Sequence, residues 1–348
     1  MIDYSDLKLE RFKLLNQNAE ELIMERKGNL MTYRPDIKVF DATIRDGGLV
    51  NNFYFTDEFV KALYYANIGA GIDYMEMGYL ADTDAFKVEE FGDWKFCKEE
   101  NLRRIVGNND ADLKLSVMAD VGRTNLQRDL LPKKDSVLDM VRVATYIHTM
   151  PAAIEMIEYA DSLGYETTCN IMAISKARTE DIEEALRLLA KSPIKAVYIV
   201  DSYGSLFPEQ VQTLTKMYLE YMEPVGKQVG MHAHNNQQMA FANTVESCSM
   251  GASFLDATVG SMGRGAGNCA MELLLGFLKN PKYNLTPILK FYQEYILKLR
   301  EDGLKWGYDI QYLLTGKMNL HPSSAINFTK ENRTDYANFY HQLFDLEP

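Results

Sequence analysis

From Val39 onward, short apolar runs alternate with stretches whose apolar residues recur every three or four positions. Val39-Phe-Asp-Ala-Thr reads as a strand, followed by a Gly-Gly loop. Thr56 then N-caps a helix with two acids in its first turn. Phe59, Leu63, Ala66 and Ala70 form the apolar stripe of this helix, and Gly69 and Gly71 stop it. Tyr74–Gly78 predicts the second strand, with a helix-like stretch from Asp84 to about Asn101. Further strands are expected at Lys114–Ala119, Met140–Ala144, Glu166–Ile174, Ala196–Val200, Val229–His234 and Phe254–Ala257. The intervening helices are Pro151–Ser162, one capped by Thr179 and running to Ala190, one opening at Pro208, Gln237–Met250 and Cys269–Leu278. Pro208 suits a first helical position, where its missing N–H costs nothing.

Eight nearly continuous apolar strands joined by amphipathic helices predict a parallel sheet covered by helices. Eight such units over roughly 240 residues fit an α/β fold of the (β/α)8 TIM-barrel class. A doubly wound open sheet is the alternative, but no G-x-G-x-x-G follows the first strand. Residues 1–36 read as an N-terminal helical extension, with a helix over Leu7–Arg26. Residues 37–280 form the barrel, and 281–348 a C-terminal helical region with helices at Leu285–Arg300 and Trp306–Leu314.

Composition narrows the classes of function. A net charge of −12 argues against nucleic acid, whose phosphates call for a basic face. No apolar run approaches the ~18 residues of a membrane span. Cys97, Cys169, Cys248 and Cys269 show no C-x-x-C spacing and are read as small core or surface residues. Together with a charged rather than signal-like N-terminus, they point to a reducing cytoplasm.

Catalytic residues of a barrel gather at the C-terminal ends of its strands. Arg45-Asp46 follow strand one, Glu76 and Tyr79 lie at strand two, and Asp120 closes strand three. Asp201-Ser202 close strand six, and His232 and His234 close strand seven. Side chains alternate along a strand, so the two histidines share a face, about two rises of ~3.3 Å apart. They fit either a hydrogen-bonded buried pair or two arms of a metal clamp. Asp46, if not simply a partner for Arg45, supplies a third ligand. Asn268, at the end of the Gly260–Asn268 loop, is either a helix N-cap or a fourth ligand. Glu76 is either a partner for a barrel arginine or an acid–base group.

Three segments carry a family resemblance. Asp41-Ala-Thr-Ile-Arg-Asp-Gly47 resembles the D-x-T-[LI]-R-D-G signature of metal-dependent enzymes related to 4-hydroxy-2-oxovalerate aldolase and HMG-CoA lyase. His232-Ala-His-Asn resembles their H-x-H-N, and Gly263-Arg-Gly-Ala-Gly-Asn268 their G-x-x-x-G-N loop. The resemblance implies a TIM barrel with Asp46, His232 and His234 on a divalent cation, and Asn268 as a direct or water-mediated fourth ligand. Mn²⁺ is the expected metal, with Mg²⁺, Co²⁺ and Zn²⁺ also compatible with nitrogen and oxygen donors. It also implies that Arg45 stabilises an enolate oxygen during carbon–carbon cleavage next to a 2-oxo acid, with pyruvate as product. Ser202 is a candidate for hydrogen bonding the substrate carboxylate.

Departures from the pattern shape the rest. The aldolases carry a base histidine where this chain has Leu49, the condensing enzymes have Glu-Gln after R-D-G, and HMG-CoA lyase has a cysteine in the glycine loop. Cys269 follows the asparagine and is not its equivalent. Proton-transfer candidates are Glu76, Tyr79, Tyr203 and, from the C-terminal region, Tyr308. An aldolase-like lyase is thus expected. The alternatives are an acyl-CoA condensing or HMG-CoA lyase-like enzyme, with Lys176 or Arg123 serving CoA, and a non-catalytic metal-binding barrel. A homo-oligomer is expected, and the resemblance adds an aldehyde dehydrogenase as a partner.

Overall fold

The computed structural model describes residues 34–346, so the helix expected at Leu7–Arg26 lies outside the described residues. Eight strands are β1 (Lys38–Asp41), β2 (Tyr74–Tyr79), β3 (Lys114–Asp120), β4 (Met140–Thr145), β5 (Glu166–Ile171), β6 (Ala196–Asp201), β7 (Gln228–Ala233) and β8 (Phe254–Ala257). They pair in sequence order, all parallel, and β1 closes on β8. The chain is a (β/α)8 barrel. Alternation decides what each strand residue meets. In β4, Val141 and Val143 join the apolar layer shared with the outer helices, while Met140 joins Phe40, Tyr74, Tyr198 and Phe254 in a separate interior cluster.

Two helices follow β1. The first, α1 (Thr43–Asn51), occupies the stretch expected to be a Gly-Gly loop. Glycine is a poor helix former, which is why the sequence reads as a loop. Here Gly47 and Gly48 are selected by contact: a Cβ on Gly47 would sit 2.9 Å from the Met262 sulfur, and one on Gly48 would overlap the Phe53 ring. The second helix, α2 (Asp57–Ala70), matches its expected stripe. Phe59, Leu63, Ala66 and Ala70 are all buried, and the Thr56 hydroxyl accepts the Phe59 N–H at 3.2 Å.

The outer layer continues with α3 (Glu99–Val106), α4 (Met150–Ser162), α5 (Thr179–Lys191), α6 (Pro208–Met222), α7 (Ala240–Met250) and α8 (Met271–Phe277). Three expectations need correction. The stretch from Asp84 to Asn101 holds two 3₁₀ turns before α3 rather than one helix. Thr179 is the first residue of α5, and the N-cap is Arg178, without a side-chain bond. The strand expected to reach Ile174 ends at Ile171, and Ala173 takes a left-handed conformation (φ 51°).

After the barrel, α9 (Leu285–Phe291) continues through a π-helical turn at Tyr292–Ile296 into Leu297–Glu301, a helix with a π-bulge. The next helix starts at Ile310, not Trp306. It is α10 (Ile310–Lys317), capped by Asp309, and α11 (Ser323–Lys330) and α12 (Tyr336–Phe344) follow. Trp306 is instead a buried loop residue whose indole N–H donates to Gly260 O at 3.0 Å. Gly307 N–H reaches Gly265 O at 3.0 Å, and Asn236 Nδ2 reaches Tyr312 O at 3.3 Å. This C-terminal segment therefore packs on the loop after β8, at the C-terminal mouth of the barrel. No helix among the described residues is long and apolar enough to cross a membrane.

Candidate metal and substrate site

The mouth is built on a charged layer inside the barrel. Arg142 of β4 is fully buried, 2.7 Å from Asp256 of β8 and 3.0 Å from Glu76 of β2. These strands are not neighbours in the sheet, so the contacts cross the interior. The guanidinium also lies over the rings of Phe40 and Tyr198, 4.9 and 4.4 Å from their centroids. Gly230 leaves room beside it, because a Cβ there would come within 2.6 Å of the Tyr198 ring. A buried cation flanked by two carboxylates is the pairing that offsets the cost of removing each charge from water.

Asp256 passes this order upward. Its Oδ2 lies 2.8 Å from His232 Nδ1 and accepts that proton, which leaves Nε2 unprotonated toward Asp46. His232 Nε2 and Asp46 Oδ2 are 3.1 Å apart, and His234 Nε2 lies 4.0 Å from the same oxygen. Asp46 itself is fully buried on α1, where Arg45 Nη1 donates to it at 2.8 Å and Asn268 Nδ2 at 2.5 Å. Donor atoms of Asp46, His232 and His234 all lie within 4.8 Å of one another, which makes them a candidate metal site.

The residues fit a divalent cation on two further grounds. Asp46 Oδ1, His232 Nε2 and Asn268 Oδ1 are buried without a hydrogen-bond partner, and an orphaned acceptor is costly unless a cation satisfies it. The shifts of Asp46 and His234 also suit ligation. Burial pushes Asp46 up, but Arg45 and the two histidines more than offset this, holding the carboxyl well below the usual range. Burial pushes His234 down to about 3, so its ring is neutral. Burial and Arg45 also push His232 down, yet hydrogen bonds to Asp256 and Asp46 leave it raised overall.

Asn268 is not a helix cap. Ala270 takes that place at α8, and Asn268 pairs with His234 in an isolated antiparallel bridge that sets its side chain on Asp46. Gly263 is required there, because a Cβ would stand 2.5 Å from Asn268 Oδ1.

Above this centre lies a cavity of about 70 Å³. Arg45, Asp46, Leu49, Tyr79, Asp120, Asn170, Ser202, His232, His234 and Arg264 are among its lining residues. Arg45 is fixed by Nε to Glu76 Oε2 at 2.7 Å and by Nη1 to Asp46. Ser202 accepts the Ala173 N–H at 2.8 Å and keeps its own proton for a ligand. Glu76 is fully buried between Arg45 and Arg142 and does not line the cavity. Tyr308 is 43% exposed in the loop before α10 and does not line it either. Tyr203 packs edge-on against His321, 6.0 Å between centroids.

Beside Tyr79 lies Lys95, enclosed by the rings of Phe53, Tyr79, Phe86 and Phe91 at 4.2–5.6 Å. Burial pushes this amine down to about 8. Burial also raises Asp120 and Tyr79 above their ordinary values. Arg142, Asp256 and Lys95 escaped the sequence reading. For the first two a signal was present, since a charged residue in phase with the inward positions of an apolar strand points into a barrel.

Fold and site together define a (β/α)8 enzyme class with a two-histidine, one-carboxylate centre at the strand C-termini. Residues 36–294 match the family described as HMGL-like, and the chain belongs to that family. An oxaloacetate decarboxylase of Mycobacterium tuberculosis is 31% identical over 251 residues, 71% of each chain. A 4-hydroxy-2-oxovalerate aldolase of Moorella thermoacetica is 30% identical over 247 residues, again 71% of each. Among solved structures, the N-terminal domain of a protein described as an aldolase from Bacteroides vulgatus superposes with a TM-score of 0.75. It is 27% identical, over 84% of this chain and 96% of that one. HMG-CoA lyase of Bacillus subtilis, at 16% identity and a TM-score of 0.62 over 78% of this chain and 96% of that one, shares the fold.

Proposed function

We propose that the protein is a divalent-metal-dependent carbon–carbon lyase that splits a 2-oxo acid and releases pyruvate. The observation that carries this is the convergence of Asp46, His232 and His234, with unpartnered acceptors, beside a fixed Arg45 in one cavity. Asp46, His232 and His234 would hold the cation, with Asn268 as a fourth donor and Mn²⁺ as the expected ion. When bound, it supplies Lewis acidity toward the 2-oxo acid.

Arg45 does the complementary work. Glu76 and Asp46 fix its plane, so its remaining N–H groups present positive charge where the enolate oxygen develops, at no cost in reorganisation. Ser202 offers a hydroxyl to a substrate carboxylate. In cleavage of a 4-hydroxy-2-oxo acid, the C4 hydroxyl loses a proton, the C3–C4 bond breaks and an aldehyde departs. The enolate then takes one proton at C3 to give pyruvate.

That proton traffic is assigned to Tyr79 and Asp120. Both line the cavity, and burial raises the Asp120 carboxyl above its ordinary value. They are preferred to Glu76, enclosed by two arginines, and to the exposed Tyr308. Leu49 lines the cavity at the position where the resemblance expects a histidine, so the proton must be handled from elsewhere.

A CoA substrate is disfavoured, because Lys176 and Arg123 are exposed and neither lines the small cavity. Arg45 and the metal triad line an accessible cavity, which a purely structural metal clip would not require. The reading includes a cytoplasmic setting, a homo-oligomer and, for an aldehyde product, an aldehyde dehydrogenase to receive it. Pyruvate release from 4-hydroxy-2-oxo acids and from oxaloacetate, measured with Mn²⁺-loaded protein, tests the activity. Release lost in Asp46→Asn and His232→Ala together with bound metal supports it; a wild type that binds no metal and releases no pyruvate overturns it.

A further inference from the structure

The cavity contains a second arginine that the proposed chemistry does not use. Arg264, in the loop after β8, lines it together with the metal triad. Unlike Arg45, it has no carboxylate within 4.0 Å among the described residues. Its Nη1 lies 3.2 Å from His321 Nε2, its Nη2 makes a long contact of 3.4 Å to Ser202 O, and its Nε is buried without a partner. Burial and the neighbouring Arg264 push His321 down to about 4, so that ring is a neutral acceptor and leaves the guanidinium charge uncompensated. In a chain of net charge −12, a cation that lines a cavity without a carboxylate partner is suited to binding an anion.

Its position says which anion. Arg45 is tied to Glu76 on β2, whereas Arg264 rests against Ser202 at the end of β6. In a closed barrel of eight strands in sequence order, β2 and β6 face each other across the mouth. The two cations therefore lie on opposite sides of the cavity, which the metal triad also lines. A 2-oxo acid whose 2-oxo carboxylate end lies at the triad and Arg45 directs its far end toward β6.

We infer that Arg264 binds a second, distal carboxylate, and that the substrate is a dianionic 2-oxo acid rather than one ending in a neutral chain. This rests on the 2-oxo acid reading of the site, but it concerns selectivity, which binding can measure without turnover. His321 is a positioning residue: it reaches Arg264 from the C-terminal segment and holds the fork over the cavity.

The test is calorimetric binding of a length-matched pair, 2-oxovalerate and 2-oxoglutarate, to the full-length Mn²⁺-loaded protein. The wild type is expected to bind 2-oxoglutarate at least 10-fold more tightly. In Arg264→Gln the two dissociation constants should come within 2-fold, because 2-oxoglutarate weakens far more than 2-oxovalerate. Arg264→Lys, which keeps the charge and loses the fork, should retain an intermediate preference; it also serves if the glutamine variant does not fold. Equal affinities in the wild type overturn the inference, as does a preference that survives in the glutamine variant. So does equal weakening of both ligands, which would place Arg264 on the carboxylate they share. A protein that prefers 2-oxoglutarate through Arg264 but releases no pyruvate from any substrate would retain this inference and lose the proposed reaction.

Discussion

His232 and Asp256 are joined through the ring nitrogen that faces away from the candidate metal ligands, Nδ1 to Oδ2 at 2.8 Å. The carboxylate thereby selects the tautomer whose Nε2 is free to ligate. Asp256→Asn should keep the fold and lower metal affinity by about 10- to 100-fold, the usual cost of losing such a partner. Competition with a fluorescent chelator measures this, and an unchanged affinity would assign Asp256 only to its ion pair with Arg142.

Arg142 joins two carboxylates inside the barrel, so removing it strands both. Arg142→Met is expected to lower unfolding free energy by about 3–5 kcal/mol, the cost of leaving a buried charge uncompensated. Denaturant unfolding at neutral pH reads this directly. A loss below about 1 kcal/mol would mean that the carboxylates find protons or water instead.

Tyr79→Phe removes one hydroxyl from the cavity wall and leaves the ring that packs on Phe53. If Tyr79 handles protons, kcat for aldol cleavage should fall about 100-fold with little change in KM. Exchange of pyruvate C3 protons with D₂O, followed by NMR, should slow in parallel. A loss smaller than threefold would return the role to another group.

Lys95 gives a pH-dependent signature. Burial lowers its amine from 10.5 to about 8, so between these values the folded state binds fewer protons than the unfolded state. Stability then rises with pH across this window, and the full penalty is present below pH 8. Asp120 and Arg123 are the other charges acting on this amine. Relative to Lys95→Met, the wild type should gain about 3 kcal/mol between pH 7 and pH 10.5. Paired denaturant titrations at the two pH values test it, and a constant difference would mean that the aromatic cage keeps the amine charged.

The barrel was legible because eight apolar strands and their helix stripes each reflect a local rule, and Thr56 and Pro208 act where such rules place them. His232 and His234 were legible because they stand at the end of β7, and Asp46 because it follows β1 in sequence, although it sits on α1. α1 was hidden because Gly47 and Gly48 are dictated by Met262 and the Phe53 ring, which reach them only in the folded state. Lys95 was hidden for a similar reason, since its cage joins a β2 residue to rings from three loop segments. Arg264 looked like one more residue of a tight loop; only the strand order sets it opposite Arg45.

The family match ends at residue 294, whereas Trp306, Gly307 and His321 come later in the chain and grip the loop carrying Arg264 and Asn268. The loop that brings Arg264 to the cavity is therefore buttressed by a stretch lying beyond the matched residues. That division lets inheritance act on the two parts separately. A change in that tail can shift the loop bearing Arg264 while leaving Asp46, His232 and His234 as they are.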